Sequence, residues 1–219
     1  MESNQKNIHA ALPATPTFKI YDRMKIANLT HNSNLYTANV FMVLGTWNAI
    51  DDVNTLIDVG SDINIIRKIE CINTGLGKNK IDQVILTHSH SDHAAILEEI
   101  KLAYNPKVYA FNAHLKHVDH VLHDGELLKI GDQQFEVFHI TYHSYDSICL
   151  YNENEGILFS GDTSFPVSEG NAALLAENEK VLARLKKKKI NSVYPGHGAM
   201  QCFNDRNFEL MKSEKLASF

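Results

Sequence analysis

Thr87-His88-Ser89-His90-Ser91-Asp92-His93 groups three imidazoles and one carboxylate at a single point of the chain. The apolar run Val84-Ile85-Leu86 precedes it, and a helical pattern from Ala94 to Tyr104 follows. A strand should therefore end at His88 and a helix begin near Asp92. In extended chain His88 and His90 point the same way, because side chains alternate with a period of two. Asp92 and His93 fall on the first helical turn, where successive side chains fan out by about 100°. One loop then offers two ligands to one metal ion and two more to a position a few ångströms away. A metal charge would compensate for crowding so many polar side chains together.

A merely histidine-rich surface loop would need no partners elsewhere, but four other segments supply them. They are His143 in Thr141-Tyr142-His143-Ser144, Asp162 at the end of Phe159-Ser160-Gly161-Asp162, and His197 in Tyr194-Pro195-Gly196-His197-Gly198. The fourth is Asp58, in Leu56-Ile57-Asp58-Val59-Gly60. Several of these close apolar strand patterns, and strand ends can hold ligands in fixed geometry.

With 219 residues, 44% of them hydrophobic, the chain is long enough for one domain with a substantial core. Its net charge of −5, with both signs interspersed, speaks against a nucleic-acid surface. The run Lys186 to Lys189 reads as a solvated helix end rather than a phosphate patch. Cys71, Cys149 and Cys202 are widely spaced and suit three free thiols in a reducing compartment. No leader-like apolar segment and no membrane-length apolar run is found, so a cytoplasmic location is expected.

Residues 1–17 read as a flexible arm and 18–219 as a single domain. Strands are expected at 39–44 and 55–58, joined by a long hairpin loop, with short strand segments before them. A helix capped by Ser61 or Asp62 carries Ile65, Ile66, Ile69 and Ile72 and stops at Gly75. Strands follow at 82–87 and 107–111 around the second helical stripe. Residues 112–122 read as a helix bearing His114, His117 and His120, with His123 beyond it, and a polar surface face is the plainest account of that series. Four strands then run from 126 to 160, followed by a helix at 172–189, a short strand at 191–194 and a helix at 204–217. This pattern alone supports α/β or α+β.

The ligand set, in this order, resembles the metallo-β-lactamase fold superfamily over roughly residues 35 to 200. The resemblance implies an α+β fold, a four-layer αββα sandwich. It also implies a first ion on His88, His90 and His143, a second on Asp92, His93 and His197, Asp162 bridging them, and Asp58 supporting from behind. Asp92 would otherwise serve as a catalytic proton acceptor. The Tyr-Pro-Gly-His-Gly form of the last motif is similar to the glyoxalase II branch. That branch adds a helical domain that grips glutathione, and with 22 residues after His197 such a domain is expected to be missing.

Imidazole and carboxylate ligands without thiolate suit two divalent ions, zinc first, with iron or manganese as alternatives. The implied activity is hydrolysis of a small-molecule ester, thioester or lactone, with a bridging hydroxide as nucleophile. The alternative is a mononuclear iron oxidoreductase resembling persulfide dioxygenases, using the equivalents of His88, His143 and Asp162. Asp162 stands where the β-lactamases place cysteine, and His90 where diiron flavoproteins usually place glutamate, so neither activity is expected. Trp47, in the loop between two strands, and Phe165 are candidates for the wall of the substrate pocket. A homodimer is compatible with this reading; a nucleic-acid or membrane partner is not expected.

Overall fold

The computed structural model describes residues 15–168, 172–203 and 211–212. The first sheet takes its strands in chain order: β1 (Phe18–Ile20), β2 (Met24–Asn28), β3 (Phe41–Gly45), β4 (Thr55–Ile57), β5 (Gln83–Ile85), β6 (Lys107–Ala110) and β7 (His120–Val121). Neighbours are antiparallel up to β4 and parallel from β4 onward. Parallel neighbours need a crossover. Here α1 (Asn64–Glu70) makes the first, and α2 (Ser91–Ala94) with α3 (Leu97–Tyr104) makes the second. The rest of the chain forms β8 (Leu127–Ile130), β9 (Gln133–His139), β10 (Ile148–Asn152), β11 (Ile157–Gly161), β12 (Val167–Ser168), α4 (Ala172–Leu185), β13 (Ser192–Pro195), β14 (Gln201–Cys202) and β15 (Met211–Lys212). The second sheet has the order β14-β13-β11-β10-β9-β8, while β12 and β15 pair with each other.

Period-two alternation explains how three cores arise from these strands. Along β3, Met42 and Leu44 pack with Ile65, Ile69 and Ile100 of the helices. Phe41 and Val43 on the same strand face the other sheet, with Phe135, Leu150 and Phe159. Along β10, Ile148 and Leu150 join that central core, and Cys149 and Tyr151 pack outward on Val181, Leu182 and Leu185 of α4. The layers are helix, sheet, sheet, helix, the αββα sandwich expected. Both sheets are covered on both faces, which is why β3, β10 and β11 are buried along their whole length.

Several expectations are corrected. Residues 112–122 are turns leading to β7, not a helix. The Asn112 side chain accepts the His114 N–H at 2.9 Å, His117 has φ 72°, Leu115 and Val118 are half-buried against the first core, and Leu122 is buried in the central one. Without a full apolar stripe the segment gains nothing from helical spacing. The helix after the histidine loop is broken at Ile96, whose backbone has φ −100° and ψ 24°. Of the helix expected at 204–217, Met211 and Lys212 lie in a strand against Val167 and Ser168, and its other residues lie outside the described ones. Residues 1–14 of the expected arm are likewise outside them. The first helix is capped at Ile63 without a side-chain bond and ends at Glu70, short of the Gly75 stop; Asp62 Oδ1 accepts the Asn64 N–H at 3.0 Å in the turn before it.

Register also places the candidate ligands. Ile57 and Ile85 are opposite one another at the ends of parallel β4 and β5, so Asp58 and the histidine loop leave the same edge. β11 and β13 are parallel too, and deliver Asp162 and His197 side by side. The Ile148 N–H donates to Thr87 O at 2.9 Å, tying the two sheets together at that edge. Trp47 is at the opposite end. β3 starts at the ligand edge, with Phe41 opposite Ile57, and leads away from it. The loop after β3 bridges at Val53 to Gly131, in the β8–β9 turn. Trp47 is 85% exposed there and does not line the cleft beside the ligands.

Candidate metal centre

His88 and His90 sit in the extended turn after β5, and His93 on the single helical turn of α2. The nitrogens of His88, His90 and His143 form one cluster, all within 4.8 Å of one another. Asp92, His93 and His197 form a second cluster within the same limit. His143 Nε2 is 3.0 Å from His90 Nδ1, and His197 Nε2 is 3.0 Å from Asp92 Oδ2. The Asp162 carboxylate lies between the clusters. Its Oδ2 is 3.5 Å from His143 Nε2 and 3.6 Å from His197 Nε2, and its Oδ1 is 3.1 Å from His93 Nε2.

The second set of partners determines which atoms face inward. Asp58 accepts from the Thr87 N–H with Oδ1 at 2.8 Å, and from the Thr87 hydroxyl with Oδ2 at 2.8 Å. It also accepts from His93 Nδ1 at 2.8 Å. His93 Nε2 is thereby left to face Asp162, a tautomer choice typical of metal-ligating histidine. His88 Nε2, His93 Nε2, His197 Nε2 and Asp162 Oδ1 are all buried without a well-formed hydrogen bond. With His93 neutral, as a metal ligand must be, these lone pairs converge without donors between them and repel, so the arrangement calls for a positive charge. Ligand atoms around a tetrahedral zinc lie about 3.3 Å apart, and the observed separations are of that size. The residues present fit divalent metal.

Electrostatics bear the same signature in the protein alone. Burial and the neighbouring His93 hold the His88 imidazole down to about 4, so it is neutral and able to ligate. Burial opposes charge on His93 as well, but Asp58 and Asp162 outweigh it and push the group up to about 10. Burial would raise Asp162, yet the close contact with His93 at 3.1 Å and the charge it carries hold Asp162 down to about 2. A proton on His93 here takes up the positive charge that the carboxylates favour.

Close approach explains two glycines. A Cβ on Gly196 would lie 2.2 Å from Asp162 Oδ1 and 2.7 Å from His93 Cε1. A Cβ on Gly161 would lie 2.8 Å from the Thr87 side chain. Beside the ligands is a cleft of about 450 Å³ whose walls include Thr163, Ser164, Phe165, Val193 and Gln201. Phe165 was anticipated there. Gln201 was not, since nothing in its local sequence marks it. The series His114 to His123 takes no part in any ligand cluster among the described residues, and Cys202 is on the surface beside Lys19.

Comparison with known proteins follows the same residues. The sequence matches the family described as "Metallo-beta-lactamase superfamily" over residues 36–118 and 109–197. A "Probable hydroxyacylglutathione hydrolase" of Schizosaccharomyces pombe is 32% identical over 147 residues, covering 63% of this chain and 56% of that protein. A hydroxyacylglutathione hydrolase of Francisella tularensis subsp. tularensis is 35% identical over 99 residues, 43% of this chain and 39% of its own. The chain thus matches about half or less of the length of these relatives. Among solved structures, the BLEG-1 B3 metallo-beta-lactamase superposes with a TM-score of 0.58 at 22% identity, covering 81% of this chain and 93% of that one.

Proposed function

The chain belongs to the metallo-beta-lactamase superfamily, and from that premise we propose that it is a metal-dependent hydrolase of an uncharged small-molecule thioester, ester or lactone. The observation that carries this reading is the pair of ligand clusters sharing Asp162, with buried nitrogens lacking donors. Bound there, two divalent ions, zinc first, would acidify a water and offset negative charge on an acyl oxygen.

The protein's own groups would divide the remaining work. His88, His90 and His143 would hold the first ion, and Asp92, His93 and His197 the second, with Asp162 between them. Asp58 fixes the His93 tautomer through the 2.8 Å bond. Asp92, placed 3.0 Å from His197, would be the proton acceptor wherever it is not itself a ligand. Thr163, Ser164 and Gln201 offer neutral hydrogen-bonding groups to the acyl part, and Phe165 and Val193 an apolar surface. Among the described residues no lysine or arginine lines that cleft. The relatives' named activity suggests thioesters, while this neutral wall favours ones with uncharged acyl and leaving groups over glutathione.

The test is anaerobic turnover of a panel of simple thioesters, lactones and a glutathione thioester by metal-reconstituted protein. Hydrolysis of the uncharged members, abolished in His88→Ala, is the expected result. Dioxygen uptake with a persulfide substrate and iron, without hydrolysis, would replace this reading with the oxidoreductase one.

A further inference from the structure

We propose that Asn39 is a positioning residue that closes the second ligand cluster, Asp92, His93 and His197; the proposal rests on reading those three as ligands of one ion. Asp92 comes from the first sheet's loop and His197 from the second sheet's. Residues 36–39, just before β3, are bonded to both. The Ala38 N–H donates to Asp92 O at 3.0 Å, and the Asn39 N–H donates to Gly196 O at 2.6 Å. The Asn39 side chain then brackets His197, its Nδ2 donating to Pro195 O and to Gly198 O, each at 2.9 Å.

The bracket is built for one orientation. Two carbonyls can only accept, so only the amide nitrogen can face them. Asn39 Oδ1 is turned away and accepts from Asn28 Nδ2 at 2.8 Å. Asn28 Oδ1 is in turn held by the Thr30 N–H and hydroxyl, at 2.9 and 3.0 Å. The need for such a bracket lies in the loop itself. His197 is flanked by Gly196 and Gly198, and Gly198 has φ 83°. Glycine resists conformational change least of all residues, so this backbone by itself holds His197 weakly. A third hold comes from Tyr36, whose ring stacks on the His197 imidazole at 5.6 Å and 18°. The Ser61 hydroxyl donates to Tyr36 O at 2.7 Å and anchors that stack.

Titration of the metal-free full chain with Zn²⁺ against a chromophoric chelator, and with Co²⁺ followed by visible absorption, tests the proposal. Wild type should take two equivalents. Asn39→Ala should bind the first as wild type does and the second about 10–100-fold more weakly, the range for lost support behind a ligand. Asn39→Asp should be worse, because a carboxylate would face two carbonyl oxygens. In a His90→Ala background, which damages only the first cluster, both substitutions should leave no tightly held ion. Two ions bound by both variants as tightly as by wild type would overturn the role of Asn39 while leaving the ligand reading intact. A wild type that takes only one ion would overturn the ligand reading, and this proposal with it. If neither variant folds without metal by circular dichroism, Asn39 is a folding residue and the proposal is wrong.

Discussion

Asp58 concentrates the local cost of the site. It has φ 59°, a conformation that is strained for a residue with a side chain by about 1–3 kcal/mol. Both of its oxygens are used by Thr87 and His93, and those bonds hold it there. Asp58→Ala should lower metal affinity and turnover about 10–100-fold, against complete loss for His88→Ala. A pH dependence follows from His93. Its group is raised from 6.5 to about 10 in the folded, metal-free protein. A raised histidine stabilises fully below its unfolded value and loses that contribution as pH climbs to the folded one. The melting temperature of chelator-treated protein should therefore fall between those two values, and Asp58→Asn should flatten the fall. Gly196→Ala belongs to the same scale. Its methyl would collide with Asp162 Oδ1, so metal content should drop while far-ultraviolet circular dichroism stays native.

Among the elements, the histidine loop shows how one short helix serves two ends. α2 ends after Ala94 because the chain must turn at Ile96, whose N–H donates to Gly60 O at 3.3 Å. The Val59 and Gly60 N–H groups both donate to His93 O at 2.9 Å. The β4–α1 and β5–α2 connections are thus bonded to each other directly behind the ligands. Core strands hold this edge in place. Phe159 on β11 is fully buried, packs on Phe41 and Tyr194, and lies a short step before Asp162. Phe159→Ala should cost about 3–5 kcal/mol, measurable by urea unfolding at saturating metal.

At the scale of the molecule, the two sheets converge at one edge, where they supply the candidate ligand clusters. Trp47, at the far edge, should be dispensable. Trp47→Ala should leave KM and metal content unchanged and move stability by no more than about 0.5 kcal/mol, the usual range for an exposed position. A raised KM would mean that the far edge reaches the cleft by some movement of the chain. The ion pairs of Arg184 on α4 with Asp124 in the β7–β8 loop, at 2.7 Å, and of Lys188 just after α4 with Glu136 on β9, at 3.0 Å, lie away from the site. Such part-exposed pairs contribute little individually.

What the sequence by itself determined is the set of groups with strong local chemistry. His88, His90, Asp92 and His93 are close in any conformation, because a strand end and one helical turn keep them so. The buried strands were legible too, since apolar runs of four or five residues between turn signals leave few alternatives. Fold class and family came from that motif order rather than from periodicity. Tertiary structure decided everything that depends on which edge a loop leaves from. Trp47 and Tyr36 both stand in polar loops next to β3, and local pattern does not distinguish them. Antiparallel register sends one to the far edge and brings the other onto His197. The same holds for Asn39, an ordinary polar residue before a strand until Pro195 and Gly198 arrive beside it. The physical reason is that a hydrogen bond acts over about 3 Å, whereas the partners that define such a residue are joined only by folding of the whole chain.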